Sequence, residues 1–221
     1  GLVKSIYSGV EIALYDILSK EKNLPLWKYL GGSSLEPSTY ASNGSSKFTP
    51  KQIEDDVKSI VDLGYTSYKM RIGLQPKTQD LKRLEVARKY LGEGNLMVDA
   101  IMGTNPNSWD YTTALKWAQD LEQFRVYWLE EPFRPDLVEK YSKLNSNINL
   151  KIAGGEALNQ LLEFNLYYDK NAVNIIQPDV TNSGGVKDCA YIINKFSPEQ
   201  TAMHVWGSQI AINANYHIAK A

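Results

Sequence analysis

Acidic side chains close several of the strand-like runs in this sequence, and a histidine lies in the last run. The residues are Asp99, Glu130, Glu156, Asp179 and His204, separated by 23 to 31 residues. An interval of that length accommodates one strand, one helix and their loops, so these residues recur at one level of a repeating strand–helix fold. We therefore expect their side chains to gather at the carboxyl ends of parallel strands.

The first three of these residues are carboxylates on consecutive runs. Adjacent parallel strands lie about 4.8 Å apart, so Asp99, Glu130 and Glu156 would repel one another unless a cation neutralised them or their pKa values rose. Ligands that are all carboxylate oxygens favour a hard cation such as Mg²⁺. Capping of the following helix would explain any one of them equally well, but it does not explain three in succession. The sequence thus predicts a metal site.

Asp179 and His204 close the next two runs. An aspartate that hydrogen-bonds one imidazole nitrogen fixes the tautomer and raises the basicity of the other nitrogen, so this pair is a candidate general base or acid. Lys69 and Arg71 are one residue apart on an earlier run, so both point to one face of the strand and would suit an anionic substrate. His217 lies in an apolar helical pattern, which favours a structural role.

Seven strand-like runs alternate with amphipathic segments: 39–43, 67–72, 96–100, 126–131, 150–156, 173–179 and 201–206. Helical patterns cover 3–18, 81–91, 109–121, 137–144, 157–168, 186–196 and 210–219, and another begins at Thr49-Pro50 and ends at Gly64. Parallel pairing needs a crossover, which these helices supply. The pattern predicts an α/β fold, a TIM-type barrel. The alternative is a doubly wound open sheet, but no glycine-rich phosphate loop follows the first strand.

The bulk composition argues against several classes of function. The chain has 221 residues, of which 43% are hydrophobic and 22% charged, with a net charge of -1, so nothing indicates a nucleic-acid or acidic-lipid partner. The single cysteine, Cys189, lies in an apolar stretch and predicts a buried helix position in a reducing compartment. Lys4, Glu11 and Asp16 interrupt the first apolar segment, which is neither a signal peptide nor a membrane span. We expect a cytoplasmic protein.

These residues lie in motifs that resemble those of the mandelate racemase and muconate lactonizing enzyme group of the enolase superfamily. The matching segments cover nearly the whole chain: 8–17, Leu24-Pro25-Leu26, Leu30-Gly31-Gly32, 68–73, Val98-Asp99-Ala100, 128–132, Gly154-Gly155-Glu156, Gln177-Pro178-Asp179 and 203–207. Six spaced motifs agree in order, so the resemblance is specific.

The resemblance implies a (β/α)₇β barrel that binds Mg²⁺ through Asp99, Glu130 and Glu156, with Glu130 rather than Glu131 as the ligand. It also implies that Asp179 and His204 form an acid/base dyad. The reaction expected from it begins with abstraction of a proton next to a carboxylate, giving an enediolate whose charge the metal ion offsets. The expected partners are a small carboxylate-bearing substrate and further copies of the chain in a homo-oligomer.

Two residues depart from the family pattern. Arg71 stands where racemases of this group have a second lysine as base, and a guanidinium remains protonated at neutral pH. A single-base reaction at His204 is therefore expected, and the sequence predicts a Mg²⁺-dependent lyase that removes water from a hydroxy acid or sugar acid. The alternatives are a racemase, epimerase or cycloisomerase on the same site, or a noncatalytic barrel fragment. The second departure is Ile101, where many relatives carry asparagine.

The resemblance also predicts the domain organisation. Residues 1–37 are expected to form a helical segment that leads in from a capping domain, and residues 38–221 an incomplete catalytic barrel domain. The capping domain and the eighth strand are expected to lie outside this sequence. An open barrel edge exposes unpaired backbone groups, so we expect poor stability unless another segment or chain covers that edge.

Overall fold

A computed structural model describes all residues from 1 to 221. Nine α-helices are present: α1 (Leu2–Glu21), α2 (Leu26–Tyr29), α3 (Pro50–Asp62), α4 (Lys77–Leu91), α5 (Tyr111–Glu122), α6 (Val138–Asn145), α7 (Leu161–Asp169), α8 (Gly185–Phe196) and α9 (Gln209–Ala219). Six strands alternate with them: β1 (Ala41–Ser42), β2 (Ser67–Arg71), β3 (Asn95–Asp99), β4 (Val126–Glu130), β5 (Lys151–Gly154) and β6 (Ile175–Ile176). A short 3₁₀-helix covers Pro198–Gln200.

The chain divides into two compact units. The central unit is Ser38–Ala153, and the terminal unit combines Gly1–Pro37 with Gly154–Ala221. The predicted domains, residues 1–37 and 38–221, remain a prediction, because compact units do not define domains.

In the central unit the strands pair in parallel and in chain order, from β1 to β5. Residues of β2 to β5 on one face are fully buried, namely Tyr68, Met70, Leu96, Val98, Leu129 and Ile152. The helices contribute apolar stripes at helical spacing, as with Ile53 and Val57 of α3. Helix α3 begins with a capping box, in which Thr49 accepts a hydrogen bond from the backbone of Gln52 and the Gln52 side chain accepts one from Thr49. The predicted start at Thr49-Pro50 is therefore confirmed.

In the terminal unit a core forms between α8 and α9. Its fully or nearly fully buried members are Val180, Val186, Cys189, Ala214 and Ile218, and Ile12 of α1 packs against them. Cys189 is buried in α8 as predicted. His217 accepts a hydrogen bond at Nδ1 from the backbone N–H of Trp27 (3.3 Å), which agrees with the structural role expected for it.

Parallel strands joined by helices confirm the α/β fold class, an incomplete TIM-type barrel. The prediction of a seventh strand over 201–206 was wrong, because only Thr201 makes a parallel bridge, to Ile176. His204 follows it in irregular backbone, where its N–H bonds the carbonyl of Pro178 (3.0 Å). Strand β5 ends at Gly154, so Glu156 lies beyond the strand, and α7 starts four residues later than the predicted 157. No helix is both long and apolar enough to cross a bilayer.

Candidate active site

Four of the predicted site residues lie together in the central unit, and we call Lys69, Arg71, Asp99 and Glu130 the central cluster. Arg71 is in register with Asp99, and Asp99 is in register with Glu130. Residues in register on neighbouring parallel strands project from the same face, so these three side chains leave the sheet at one level. Lys69 lies two residues before Arg71 and shares that face.

Glu130 is fully buried and both of its carboxylate oxygens accept hydrogen bonds. Oε1 contacts the Nζ of Lys69, which is itself only 4% exposed, and Oε2 accepts from the indole Nε1 of Trp128 at 3.0 Å. Buried polar groups need such partners to compensate for lost water. The strand therefore presents a carboxylate whose position is fixed from two sides.

Lys69 is held as a cation by its surroundings. Burial by itself would lower the pKa of Lys69, but electrostatic interactions with Glu130, Tyr40 and Asp99 and the hydrogen bond to Glu130 outweigh burial and raise that pKa above its ordinary value. The ammonium group also lies 5.6 Å from the ring centroid of Tyr40, within cation–π distance. The side chain is thus a fixed positive charge beside two carboxylates.

Strained backbone follows each of the two carboxylates. Ile101, two residues after Asp99, has φ of 55°, and its N–H donates to Asp99 Oδ1 at 2.7 Å. Glu131, next to Glu130, has φ of 43°. Left-handed backbone is unfavourable for side chains of these types, above all for β-branched isoleucine, and such strain is concentrated at functional sites. Asparagine is several-fold enriched in this region, so the asparagine expected here from the family pattern would be less strained than Ile101.

The carboxylate of Glu131 lies against Gly103, so closely that a β-carbon at that position would be 2.2 Å from Glu131 Oε1. The expectation that Glu130, rather than Glu131, is the metal ligand remains a prediction.

Arg71 is half-buried, and its Nη1 donates to the carbonyl of Asn43 at 2.7 Å. The guanidinium is therefore oriented by the end of β1. A guanidinium is a donor only and remains protonated at neutral pH, which supports the view that Arg71 is not a base.

Three more predicted residues lie together in the terminal unit, and we call Glu156, Asp179 and His204 the terminal cluster. His204 Nδ1 is 2.9 Å from Asp179 Oδ2, and His204 Nε2 is 3.5 Å from Glu156 Oε2. Asp179 is 5% exposed, whereas the imidazole retains about a quarter of its exposure (24%). The predicted contact between Asp179 and His204 is present, with the other ring nitrogen directed towards a second carboxylate.

Asp179 is held in its ionised form. Burial raises the pKa of Asp179, but hydrogen bonds from His204, Asn215 and Thr181 outweigh burial and bring the pKa below its ordinary value. Oδ1 accepts from Thr181 N (2.9 Å), Thr181 Oγ1 (2.7 Å) and Asn215 Nδ2 (3.0 Å). With Oδ1 occupied by three donors, Oδ2 is the atom that accepts the proton of His204 Nδ1. That arrangement leaves Nε2 as the basic nitrogen.

Trp128 and Asn215 support the site but were not predicted from the sequence. Trp128 precedes Glu130 by two residues, and this spacing on one strand face is the signal that could have identified it. Asn215 is fully buried within the apolar helix α9, where it donates to Asp179 and accepts from the N–H of Val180 at 2.9 Å. A polar residue on the buried face of an apolar helix was the corresponding signal.

The donor chemistry of the central cluster fits a hard divalent cation. Asp99 and Glu130 offer carboxylate oxygens from neighbouring strands at one level, without sulfur or imidazole ligands. No group of three or more Asp, Glu, His or Cys side chains in the structure is arranged to hold a metal ion. The complete triad with Glu156 therefore remains a prediction.

The chain is similar to three proteins that carry the names of different reactions. It is 30% identical to an arabinonate dehydratase from Saccharolobus solfataricus, over 100% of this chain and 59% of that protein. The crystal structure of a 3,6-anhydro-D-galactonate cycloisomerase from Zobellia galactanivorans matches with a TM-score of 0.88 and 30% identity, over 100% of this chain and 61% of that one. The crystal structure of a racemase from Streptomyces coelicolor with bound magnesium matches with a TM-score of 0.84 and 26% identity, over 97% of this chain and 59% of that one.

The chain spans about three-fifths of the length of these relatives. The family model described as enolase C-terminal domain-like matches residues 52–221, which is most of the chain. The resemblance found in the sequence motifs is thereby confirmed. This chain belongs to the enolase superfamily, as part of its C-terminal barrel domain.

Proposed function

We propose that the protein of which this chain is a part is a Mg²⁺-dependent acid-sugar dehydratase that removes water from a hydroxy acid after abstracting the proton next to its carboxylate. The observation that carries this proposal is the placement of His204, with Nδ1 at 2.9 Å from Asp179 and Nε2 at 3.5 Å from Glu156. The similarity to an arabinonate dehydratase supports a sugar acid as the substrate class.

Proton abstraction is assigned to Nε2 of His204. Asp179 holds the proton of Nδ1, so Nε2 carries the lone pair that would accept the proton of the substrate. Once protonated, the imidazolium is stabilised by Asp179 on one side and by Glu156 Oε2 on the other. The same nitrogen then returns its proton to the departing hydroxyl group, which leaves as water.

The carboxylate of the substrate is assigned to the cations Lys69 and Arg71. Both lie on one face of β2, and Lys69 is fixed as an ammonium by buried Glu130. Fixed positive charges favour the negative charge that grows on the carboxylate oxygens as the proton leaves. We propose that Asp99, Glu130 and Glu156 hold Mg²⁺, which supplies further neutralisation of that charge.

A racemase, epimerase or cycloisomerase reaction is the second candidate, because two structural relatives carry the names racemase and cycloisomerase. A two-base racemase needs a second base besides His204, and Arg71, which remains protonated at neutral pH, does not provide one. The remaining candidate, a noncatalytic barrel fragment, predicts neither proton exchange nor loss of water. Assembly as a homo-oligomer also stays a prediction.

The reaction is tested by incubating the protein with Mg²⁺ and a panel of sugar acids in deuterated water, including arabinonate, galactonate and galactarate. Dehydration predicts a 2-keto-3-deoxy acid that carries solvent deuterium at the carbon that lost its hydroxyl. Deuterium at the α-carbon of recovered substrate, without any loss of water, would instead establish the racemase or epimerase reaction. The His204→Gln variant, in which the base is absent, is the control and should show neither.

A further inference from the structure

We call residues 43–48, which follow β1 and lead towards α3, the β1 loop. The loop contains no helix or strand. Side chains between the end of β2 and α4 nevertheless hold it in place. Three side chains donate hydrogen bonds to its carbonyl groups: Arg71 Nη1 to Asn43 O (2.7 Å), Arg83 Nη2 to Ser45 O (2.5 Å) and Gln75 Nε2 to Ser46 O. In a TIM-type barrel, loops after the strands line the active site, so fixing this loop fixes part of that lining.

Asp56 of α3 also holds the β1 loop. Its carboxylate accepts from Asn43 Nδ2 at 2.6 Å, from Gly44 N at 3.0 Å and from the Tyr68 hydroxyl at 2.5 Å. Gly44 is in left-handed backbone (φ 56°), and a β-carbon there would be 2.4 Å from Cβ of Met70. The loop therefore lies directly on β2 and has no room to shift towards it.

Arg83 is the side chain that joins the β1 loop to the end of β2. It is fully buried and pairs with Asp80, which is also fully buried (Nη1 to Oδ1, 2.5 Å). The same Nη1 donates to the carbonyl of Arg71 at 3.1 Å, and Asp80 Oδ2 accepts from the N–H of Gly73 at 2.8 Å. The pair thus binds backbone groups of Ser45, Arg71 and Gly73 simultaneously.

A buried ion pair costs desolvation energy, and an apolar pair of equal volume is often as stable. The contribution of Asp80 and Arg83 is therefore better explained by the geometry that they impose than by stability. Arginine suits this geometry because its planar guanidinium carries five N–H donors in a fixed fork, whereas lysine offers one compact ammonium.

We propose that Arg83, paired with Asp80, is a positioning residue that fixes the β1 loop against Arg71 and so preorganises one wall of the substrate site. The inference rests on the proposed function, which assigns Arg71 to the carboxylate of the substrate. A preformed wall reduces the ordering cost of binding, so Arg83 acts on substrate affinity rather than on the proton-transfer step.

The test compares Arg83→Lys with Arg88→Lys by site-resolved amide hydrogen exchange. Arg88 is a matched control because it is on the same helix and also donates to backbone carbonyls, among them Phe124 O at 2.8 Å and Gly94 O at 2.7 Å. In Arg83→Lys, amides at Gly44 and Gly73 should exchange at least about tenfold faster, while in Arg88→Lys they should be unchanged. Unchanged exchange at both amides in Arg83→Lys would overturn the proposal.

The double variant Asp80→Leu/Arg83→Leu separates positioning from stability. It should unfold at a higher midpoint than Arg83→Leu alone, since the buried charges are removed together, but Gly44 should still exchange faster than in the wild type. Wild-type exchange at Gly44 in the double variant would show that the pair does not position the β1 loop and would overturn the proposal.

Kinetics on the sugar-acid panel provide the functional readout. We expect Arg83→Lys to raise KM by about tenfold or more with kcat within about twofold of the wild type. A fall in kcat with unchanged KM would contradict the assignment. If the wild type turns over no sugar acid, the proposed function fails, whereas hydrogen exchange still decides whether Arg83 positions the loop.

Discussion

Replacing Asp179 with asparagine should reverse the tautomer of His204. Oδ1 of Asp179 accepts three hydrogen bonds, two from Thr181 and one from Asn215, while Oδ2 faces His204 Nδ1. An asparagine would place its carbonyl oxygen among the three donors and direct its NH₂ group at Nδ1. Nδ1 would then have to accept a hydrogen bond, and the imidazole proton would move to Nε2.

The energetic effect follows from removing the charge of a carboxylate that accepts four hydrogen bonds. A charge-assisted hydrogen bond contributes roughly 1.5–3 kcal/mol and a neutral one roughly 0.5–1.5 kcal/mol, while the cost of burying the charge is removed as well, so the variant should lose on the order of 1–3 kcal/mol of unfolding free energy. The effect on catalysis should be far larger, because Nε2 would carry a proton and could not accept another. In a Ser-His-Asp triad the same reversal lowers kcat roughly 10⁴-fold.

Long-range ¹H–¹⁵N NMR of the imidazole rings measures the tautomers directly, at a mildly alkaline pH where imidazoles are ordinarily neutral. The chain has two histidines, and His217 is an internal control, because its Nδ1 accepts from Trp27 N and its proton must lie on Nε2. The wild type should therefore show opposite tautomers for His204 and His217. A proton on Nε2 of His204 in the wild type, or no change in Asp179→Asn, would refute the reasoning.

Three further predictions concern the stability of the protein. The pKa of Asp179 lies below its ordinary value of 3.8, so the ionised side chain should stabilise the fold above that pH, and this stabilisation should be lost as the pH falls further. Urea unfolding from pH 5 downwards should therefore show that the stability of Asp179→Asn depends less on acid than that of the wild type. Ile101→Gly should raise the unfolding free energy by about 1 kcal/mol by relieving left-handed strain, whereas Ile101→Val should not; equal thermal midpoints for both variants would contradict the role of φ 55°. Gly44→Ala should lower the unfolding free energy by about 1–3 kcal/mol, because its β-carbon would collide with Cβ of Met70 on β2, while Gly9→Ala, with open space around it, should not; equal losses in urea unfolding would contradict the contact.

The residues at the ends of β3 and β4 could be predicted because the alternation of strand-like and helical runs, and the interval between them, indicates where each parallel strand ends. Asp99 and Glu130 end β3 and β4 as expected, and they are in register. The alternation of short apolar runs with amphipathic segments is sufficient by itself to indicate parallel pairing.

The last strand-like run could not be predicted correctly from its composition. Residues 201–206 have the apolar character of a strand, but strand identity requires a hydrogen-bonded neighbour, and only Thr201 forms a bridge. Composition cannot supply such a neighbour. The left-handed conformation of Ile101 could not be predicted either, since a β-branched residue gives no local signal for such backbone.

The residues that support the site from distant parts of the chain could not be predicted for a different reason. Asn215 reaches Asp179 from a helix that is 36 residues further along the chain, and Arg83 reaches Ser45 across 38 residues. Hydrogen bonds between residues so distant in sequence follow from packing, which neither period nor propensity encodes.

Asp99, Glu130 and Glu156 are proposed to bind one Mg²⁺ ion, and calorimetric titration of Mg²⁺ into the protein tests this binding most directly. Binding should be weakened at least about tenfold in Asp99→Asn, Glu130→Gln and Glu156→Gln, since each variant replaces an anionic ligand with a neutral one. Glu131→Gln is the matched control, because its carboxylate adjoins Glu130 in sequence but lies against Gly103. Wild-type affinity in all four variants, or loss of binding in Glu131→Gln alone, would contradict the account.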